Sequence, residues 1–328
     1  KQINSKDMEK YKTIGEVARM WAEDKKKYVK FSTFSAYEVI LTHHILPEFS
    51  GRTMLSEDDV QEFVLNKLRG GLSPKTVKDI LMVLRMVAGF GERNGVLPRM
   101  RWRVRFPTRQ GIQDAGRDGR KAAGSLGPEV LSMADHRKML RYIRSNLSAA
   151  NIGIYLSLTT GMRIGEICGL KWGDIDMTAG IVRVNRTVER IYTARGGRWH
   201  TELIIGSPKT VCSAREIPLT EDLMGLLKTL RSSASDTDFV LTGSGKPTEP
   251  RTYRNRYNKL LVQLGIPHIK FHGLRHSFAT RCIESECDYK TVSALLGHSD
   301  IRTTLNLYVH PGLEQKRRCL DRMARAME

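Results

Sequence analysis

Six residues stand out by type and order: Arg163, Lys209, His272, Arg275, His298 and Tyr308. They lie on four separated stretches, TTGMRIGEICGLKWGDID, GSPKTVCSAREIPL, FHGLRHSFAT and LLGHSDIRTTLNLYVH. Cutting a phosphodiester without a metal requires a nucleophile, a proton acceptor, a donor for the leaving 5′ oxygen, and fixed positive charge around a phosphorane. This set supplies all four. Arginine is the better phosphate clamp, because its planar fork donates two hydrogen bonds at once and stays charged at any working pH. Arg163 and Arg275 therefore suit the nonbridging oxygens. His272 and Arg275 are three apart at a helix start, so they share a face and one phosphate can meet both. Tyrosine, with an unperturbed pKa of about 10, is a poor nucleophile until nearby cations favour its phenolate. Hydrophobic spacing explains Leu295, Leu296, Ile301, Leu305 and Leu307 as core but gives no reason for His298 and Tyr308. A charged pocket that receives the tyrosine oxygen does.

Composition points to the same partner. Lysine and arginine number 54 against 35 acids, a net charge of +19, which favours a polyanion over a small neutral substrate. An anionic membrane surface would instead want an amphipathic helix with exposed aromatic residues, and the basic residues here run through the whole length. No stretch approaches the roughly 20 apolar residues of a membrane span, and no basic-then-apolar leader opens the sequence, so a cytosolic protein is expected. Cys168, Cys212, Cys282, Cys287 and Cys319 form an odd, scattered set that suggests reduced thiols. The first residue is Lys1 rather than Met, so the sequence is expected to begin inside a longer protein or after a removed segment.

The 328 residues suffice for two cores. Residues 13 to 107 read as helices only, in four segments that begin near Thr, Ser or Ser-Pro, the last of which ends at Gly95 before Pro98. A four-helix bundle is expected over 11–107. Lys25, Lys26, Lys27, Lys75, Lys78 and Arg85 on its surface are either a solvated face or a set of phosphate contacts. Residues 108–127, rich in Gly and Arg, read as a basic linker or a plain tether. From 128 to 328 the pattern turns mixed: helical stretches enclose alternating, β-branched segments at 180–193, 200–206 and 214–219. The expected fold class is mainly α with a small antiparallel β-sheet in the second domain, and Lys209 falls between two of its strands, at an expected hairpin tip.

In these motifs the chain resembles the tyrosine recombinases, the integrases of phages and conjugative transposons. The likeness spans residues 13 to 310, and all six of the family's catalytic positions are matched in type and order. The resemblance implies a helical core-binding domain and a catalytic domain in a C-shaped clamp. It makes His272 an acid/base group, His298 a second phosphate donor, Lys209 the general acid, Tyr308 the nucleophile of a 3′-phosphotyrosine link, and Glu166 a supporting residue. It also implies double-stranded recombination sites as substrate, a homotetramer on two of them, accessory DNA-bending proteins, a cytoplasmic, nucleoid-associated location, and no cofactor. A type IB topoisomerase-like enzyme and a non-catalytic DNA-binding relative are the alternatives.

Each motif also has a plainer explanation. Arg163 could cap the preceding helix, and Lys209 could be an ordinary hairpin lysine. Tyr289 is a rival nucleophile outside the matching motif. His268, His272 and His276 imitate helical metal ligands, but Pro267 and Gly273 are expected to interrupt the helix, so no metal is assigned. The segment LTGSGKPT lacks the spacing of a phosphate loop. His43 and His44 read as structural, and Asp174 and Asp176 as part of a structural turn. After Pro311-Gly312, Leu313, Leu320, Met323, Ala324 and Met327 fall largely on one helical face, a stripe that needs a surface to cover it.

Overall fold

The computed structural model describes residues 11–107, 130–195, 198–207, 214–231, 234–298, 300–302, 305, 313–325 and 327. Lys209 and Tyr308 lie outside them. The chain is mostly helical with small antiparallel sheets, as expected, and divides into two compact units. The first takes residues 1–123 and 191–202, the second the remainder. Among the described residues, no helix is long and apolar enough to cross a membrane.

In the first unit, α1 (Ile14–Lys25), α2 (Phe31–Ile40), α3 (Glu57–Arg69) and α4 (Pro74–Arg93) surround one core. Their starts are written in the sequence. The Thr13 hydroxyl accepts from Glu16 N while the Glu16 carboxylate accepts from Thr13 N, and Ser56 and Asp59 repeat the device at α3. Helix α4 buries Val77, Ile80, Leu81, Leu84, Val87 and Ala88, the three-and-four spacing of one helical face. The second helical segment, which the sequence SAYEVILTHHILPEF places from Ser35, starts earlier, at Phe31. It passes through a π-helical stretch, Leu41–Ile45, into a last turn, Leu46–Phe49, that contains Pro47. His43, on that stretch, packs its ring 5.4 Å from Trp199.

The second unit is built around α6 (Ala149–Thr160), which follows α5 (Met133–Ser145). From Ile152 to Leu158 every residue of α6 is buried, so the helix is enclosed on all sides. It leads into the short α7 (Ile164–Cys168). Strands β1 (Ile175–Asp176), β2 (Ile181–Val184) and β5 (Arg215–Pro218) form one antiparallel sheet in the order β1-β2-β5, while β3 (Thr187–Arg195) pairs β4 (Arg198–Gly206) in a separate ribbon whose residues 191–202 are counted in the first unit. Helices α8 (Glu221–Leu230), α9 (Pro250–Gln263), α10 (His272–Glu284), α11 (Tyr289–Leu296) and α12 (Leu313–Arg325) complete the unit.

Two expectations need correction. The strands flanking Lys209 are not partners: β4 pairs β3, whereas β5 pairs β2 with Ile217 opposite Val182. The two strands therefore do not form the expected hairpin, and Lys209 itself lies outside the described residues. The physical reason is that β5 buries only Ile217, and its apolar partner Val182 lies on β2. Gly273, in turn, does not interrupt α10 but sits inside its first turn, where a glycine costs only about 1 kcal/mol relative to alanine. His272 and His276 therefore share a face, with rings 4.5 Å apart, while His268 precedes the helix.

Helix α12 bears out the tail pattern as a helix. Arg322 pairs with Glu286, and Leu320, Met323 and Met327 are exposed.

Candidate active site

The site lies within the second unit and begins with a glycine. Helix α6 ends at Gly161, whose φ of 68° is left-handed backbone that favours glycine. Packing demands it too: a Cβ there would stand 2.6 Å from Phe278 and 2.7 Å from Leu296. The end of α6 thus rests directly against α10 and α11. Gly161, not Arg163, caps the preceding helix. Arg163 is extended and opens α7 instead, with Glu166 in the third helical position. The Glu166 carboxylate accepts from Arg163 N at 2.9 Å and from its Nη1 at 2.7 Å. That double contact fixes both the backbone and the head of Arg163, whose side chain remains 35% exposed while that of Glu166 is 3% exposed.

Arg275 stands on the first turns of α10 and is buried. Its Nη1 donates to Gly161 O at 2.8 Å and its Nη2 to Leu296 O at 2.6 Å, so it ties the ends of α6 and α11 to α10. Each of those nitrogens keeps a second proton, and Nε keeps one. His298 follows the left-handed Gly297 that ends α11, and its N–H donates to Ser293 O at 3.1 Å. Four of the six sequence-derived residues, Arg163, His272, Arg275 and His298, are thereby set on adjoining helix ends. The sequence also missed Arg215. Its Nε donates to Leu295 O at 2.7 Å, and Nη1 and Nη2 donate to the Glu166 oxygens at 3.2 and 3.0 Å. A signal existed. Arg215 lies two residues before buried Ile217, hence on the same inward face of β5, where a charge requires a buried partner.

Positive charge dominates this cluster. Desolvation, followed by the Arg163 charge, pulls the Arg275 pKa down to about 9. His272 keeps an outer edge open to water, yet the protein packed around it, then His276, Arg275 and Arg163, push its imidazole down to about 4. Burial, then Arg275 and Arg163, bring His298 to about 4 as well. Glu166 is held below the usual carboxylate range by Arg215 and Arg163 against the opposing cost of its burial. Both histidines are therefore neutral at pH 7, ready to accept or donate one hydrogen bond.

The depressed values carry a pH signature. The unfolded chain takes up histidine protons near pH 6.5 and the folded one only near pH 4, so this part of the stability is present above pH 6.5 and is lost as pH falls toward 4. The urea midpoint is expected to drop between pH 6.5 and 5, before unfolded carboxylates protonate. The drop should shrink in His272→Gln and His298→Gln. A midpoint flat across that interval would mean the imidazoles are not held neutral.

In the first unit, Lys78 and Arg85 line one groove of α4 together with Arg93, Met82 and Phe106. Lys75 lies one turn earlier on that helix, while Lys25, Lys26 and Lys27 cluster at the end of α1 and are not part of the groove. A second basic face escaped the sequence reading. Helix α9 buries Tyr253, Tyr257 and Leu260 and exposes Arg251, Arg254, Asn255, Arg256 and Lys259. Its signal is the run of basic residues, Arg251, Arg254, Arg256 and Lys259, between the buried aromatic positions.

The sequence profile of the phage integrase family matches residues 129–314, and that of the phage integrase N-terminal SAM-like domain matches residues 13–68. A XerC-like tyrosine recombinase of Caldanaerobacter subterraneus subsp. tengcongensis is 28% identical over 330 aligned positions, covering 94% of this chain and 82% of that protein. Tyrosine recombinase XerC of Xanthomonas campestris pv. campestris is 28% identical over 267, covering 78% and 70%. Among solved structures, the Tn1549 transposon integrase in complex with transposon right end DNA superposes with a TM-score of 0.72 at 22% identity, covering 95% of this chain and 100% of that one. A lambda integrase dimer bound to a COC′ core site superposes at 0.59 with 14% identity, covering 90% and 77%. The fold is thus that of the DNA integrases. The chain belongs to the phage integrase family and is a tyrosine recombinase, an enzyme of site-specific DNA recombination.

Proposed function

We propose that this recombinase cuts and rejoins duplex DNA at a mobile element's recombination sites, with Tyr308 as nucleophile and Arg163, Lys209, His272, Arg275 and His298 as the catalytic groups. The observation that carries the reading is the convergence of Arg163, Arg275, His272 and His298 on the junction of α6, α7, α10 and α11, with positive charge in excess. Arg163 and Arg275 hold the nonbridging oxygens, and the neutral imidazoles contribute hydrogen bonds and take up a proton as the phosphorane gathers charge. Tyr308 attacks the phosphorus as its phenolic proton passes to His272, the 5′ oxygen leaves with a proton from Lys209, and a 3′-phosphotyrosine remains. Attack of a 5′ hydroxyl on that ester reverses the step, with the link's energy conserved.

The reading assigns residues 11–107 to a core-binding domain, 108–127 to a basic linker and 128–328 to the catalytic domain with its tail. Lys25, Lys26, Lys27, Lys75, Lys78 and Arg85 contact phosphates in it, as does the exposed face of α9. Four protomers act on two sites in the cytoplasm, with DNA-bending proteins as accessories. The uncovered Leu320 and Met323 of α12 support a tail that docks on a neighbouring protomer. Removing Glu314 to Glu328 is then expected to leave single-site binding intact and to weaken synapsis on native gels. A truncated protein that still pairs sites normally would place the helix on its own chain.

The test is a duplex library with a random core and a nick that traps cleavage, incubated with the protein in excess chelator. Covalent adducts that survive denaturation, mapped to Tyr308, support the reading, and their sequences define the site. Their absence across the library would favour a relative that binds without cutting. With the recovered duplex, replacing the 5′ bridging oxygen by sulfur removes the need for a general acid. Lys209→Ala should regain cleavage on that substrate and Arg275→Ala should not, and equal rescue of both would remove the special role of Lys209.

A further inference from the structure

The Glu166 carboxylate is a buried hub. It accepts from Arg163 N and Nη1 on one side and from Nη1 and Nη2 of Arg215 on the other, at 2.7 to 3.2 Å. The side chains of Glu166 and Arg215 are 3% and 6% exposed, and all three side-chain nitrogens of Arg215 donate to Glu166 or Leu295, whereas the side chain of Arg163 is 35% exposed. The third donor of Arg215, Nε, holds Leu295 O, and the next carbonyl, Leu296 O, holds Arg275. One side chain on β5 therefore braces the segment beneath each of the two clamp arginines.

Charge decides why an arginine stands there. A lone Glu166 would offset the charge of Arg163 and compete with phosphate for its fork. With Arg215 in a bidentate pair, the three groups keep one net positive charge, and it lies on the member that faces solvent. Buried charges of this kind are stable only when paired, so removing Arg215 alone leaves an uncompensated carboxylate against Arg163.

We propose that Arg215 is a positioning residue for cleavage. It neutralises Glu166, so that the full charge and the orientation of Arg163 are available to the scissile phosphate, and it fixes Leu295 so that Arg275 and His298 keep their places. This rests on the assignment of Arg163 to the phosphate, and the experiment separates the two.

Arg215→Met, Arg215→Lys and the double variant Glu166→Gln with Arg215→Met are compared with the parent chain and with Arg163→Ala. The probe is the nicked duplex captured by the parent protein. Single-turnover cleavage, duplex affinity and the thermal midpoint are read for each. Arg215→Met is expected to cleave on the order of 100-fold more slowly, with affinity unchanged within about threefold, because the chemistry and not the DNA grip is lost. Arg215→Lys should fall between, since an ammonium restores charge but cannot span Glu166 and Leu295 together. The double variant should recover at least tenfold over Arg215→Met, because no carboxylate then competes for Arg163. Cleavage at the parent rate in Arg215→Met, or a double variant no faster than the single, overturns the inference, as does a rate loss that merely follows the thermal midpoint. Should Arg215→Met not fold, a double variant that folds but cleaves much more than about tenfold more slowly than the parent overturns it equally. Full cleavage by Arg163→Ala would instead sink the assignment of the clamp itself.

Discussion

Tyr308→Phe is expected to leave no covalent protein–DNA adduct while duplex affinity stays nearly unchanged. The phenolic oxygen is the atom that would bond to phosphorus, and its loss removes the reaction outright. It contributes little contact area, and binding to DNA is carried mainly by many phosphate contacts. The measurement is a denaturing gel of the trapped duplex beside a binding titration at one fixed salt concentration. An adduct at the parent level from the phenylalanine variant would move the nucleophile elsewhere, with Tyr289 first to be examined. Tyr289 opens α11 and packs against the small cluster of Phe278, Ile283 and Leu296, which gives it a structural reason to be there.

Arg163→Lys is expected to lose cleavage by a factor on the order of 100 to 1000, the usual consequence of removing one preorganised charge donor from a transition state. Lysine retains the charge, so a large loss isolates geometry as the cause. In the folded chain Nη1 of Arg163 is already committed to Glu166 at 2.7 Å. A guanidinium can keep that bond and still turn its other nitrogens to phosphate, whereas a single ammonium must divide itself between the two. Single-turnover cleavage of the captured duplex measures this, and full activity in the lysine variant would show that the phosphate lies elsewhere. Arg163→Ala should stop cleavage altogether.

Much of this protein is determined locally and is legible as such. The helix starts at Thr13, Ser56 and Ser73 follow from short polar side chains that satisfy backbone donors within three residues. The burial of one face of α4 follows from spacing alone. The chemical types at 163, 272, 275 and 298 suit phosphoryl transfer, and the resemblance of their motifs to the tyrosine recombinases names the reaction. The Gly161 and Gly297 breaks that set Arg163 and His298 in place are equally local, since left-handed backbone favours glycine.

Other features were decided by contacts between residues far apart in sequence. Whether β5 pairs β4 or β2 was decided by packing that sets Ile217 opposite Val182, so the two strands flanking Lys209 belong to different sheets. Gly273 reads as a helix breaker in isolation, yet it is buried within α10, where its small size is accommodated by packing and not forbidden by propensity. The inward position of Arg215 was legible from its spacing to Ile217, but its partners were not, because Glu166 and Leu295 lie 49 and 80 residues away. Sequence by itself determined the reagents and the local turns that present them, for these depend on side-chain chemistry and short-range backbone sterics. Only the tertiary structure decided which charges face one another and which remains free, because a buried carboxylate must be paired, and the fold chooses its partner.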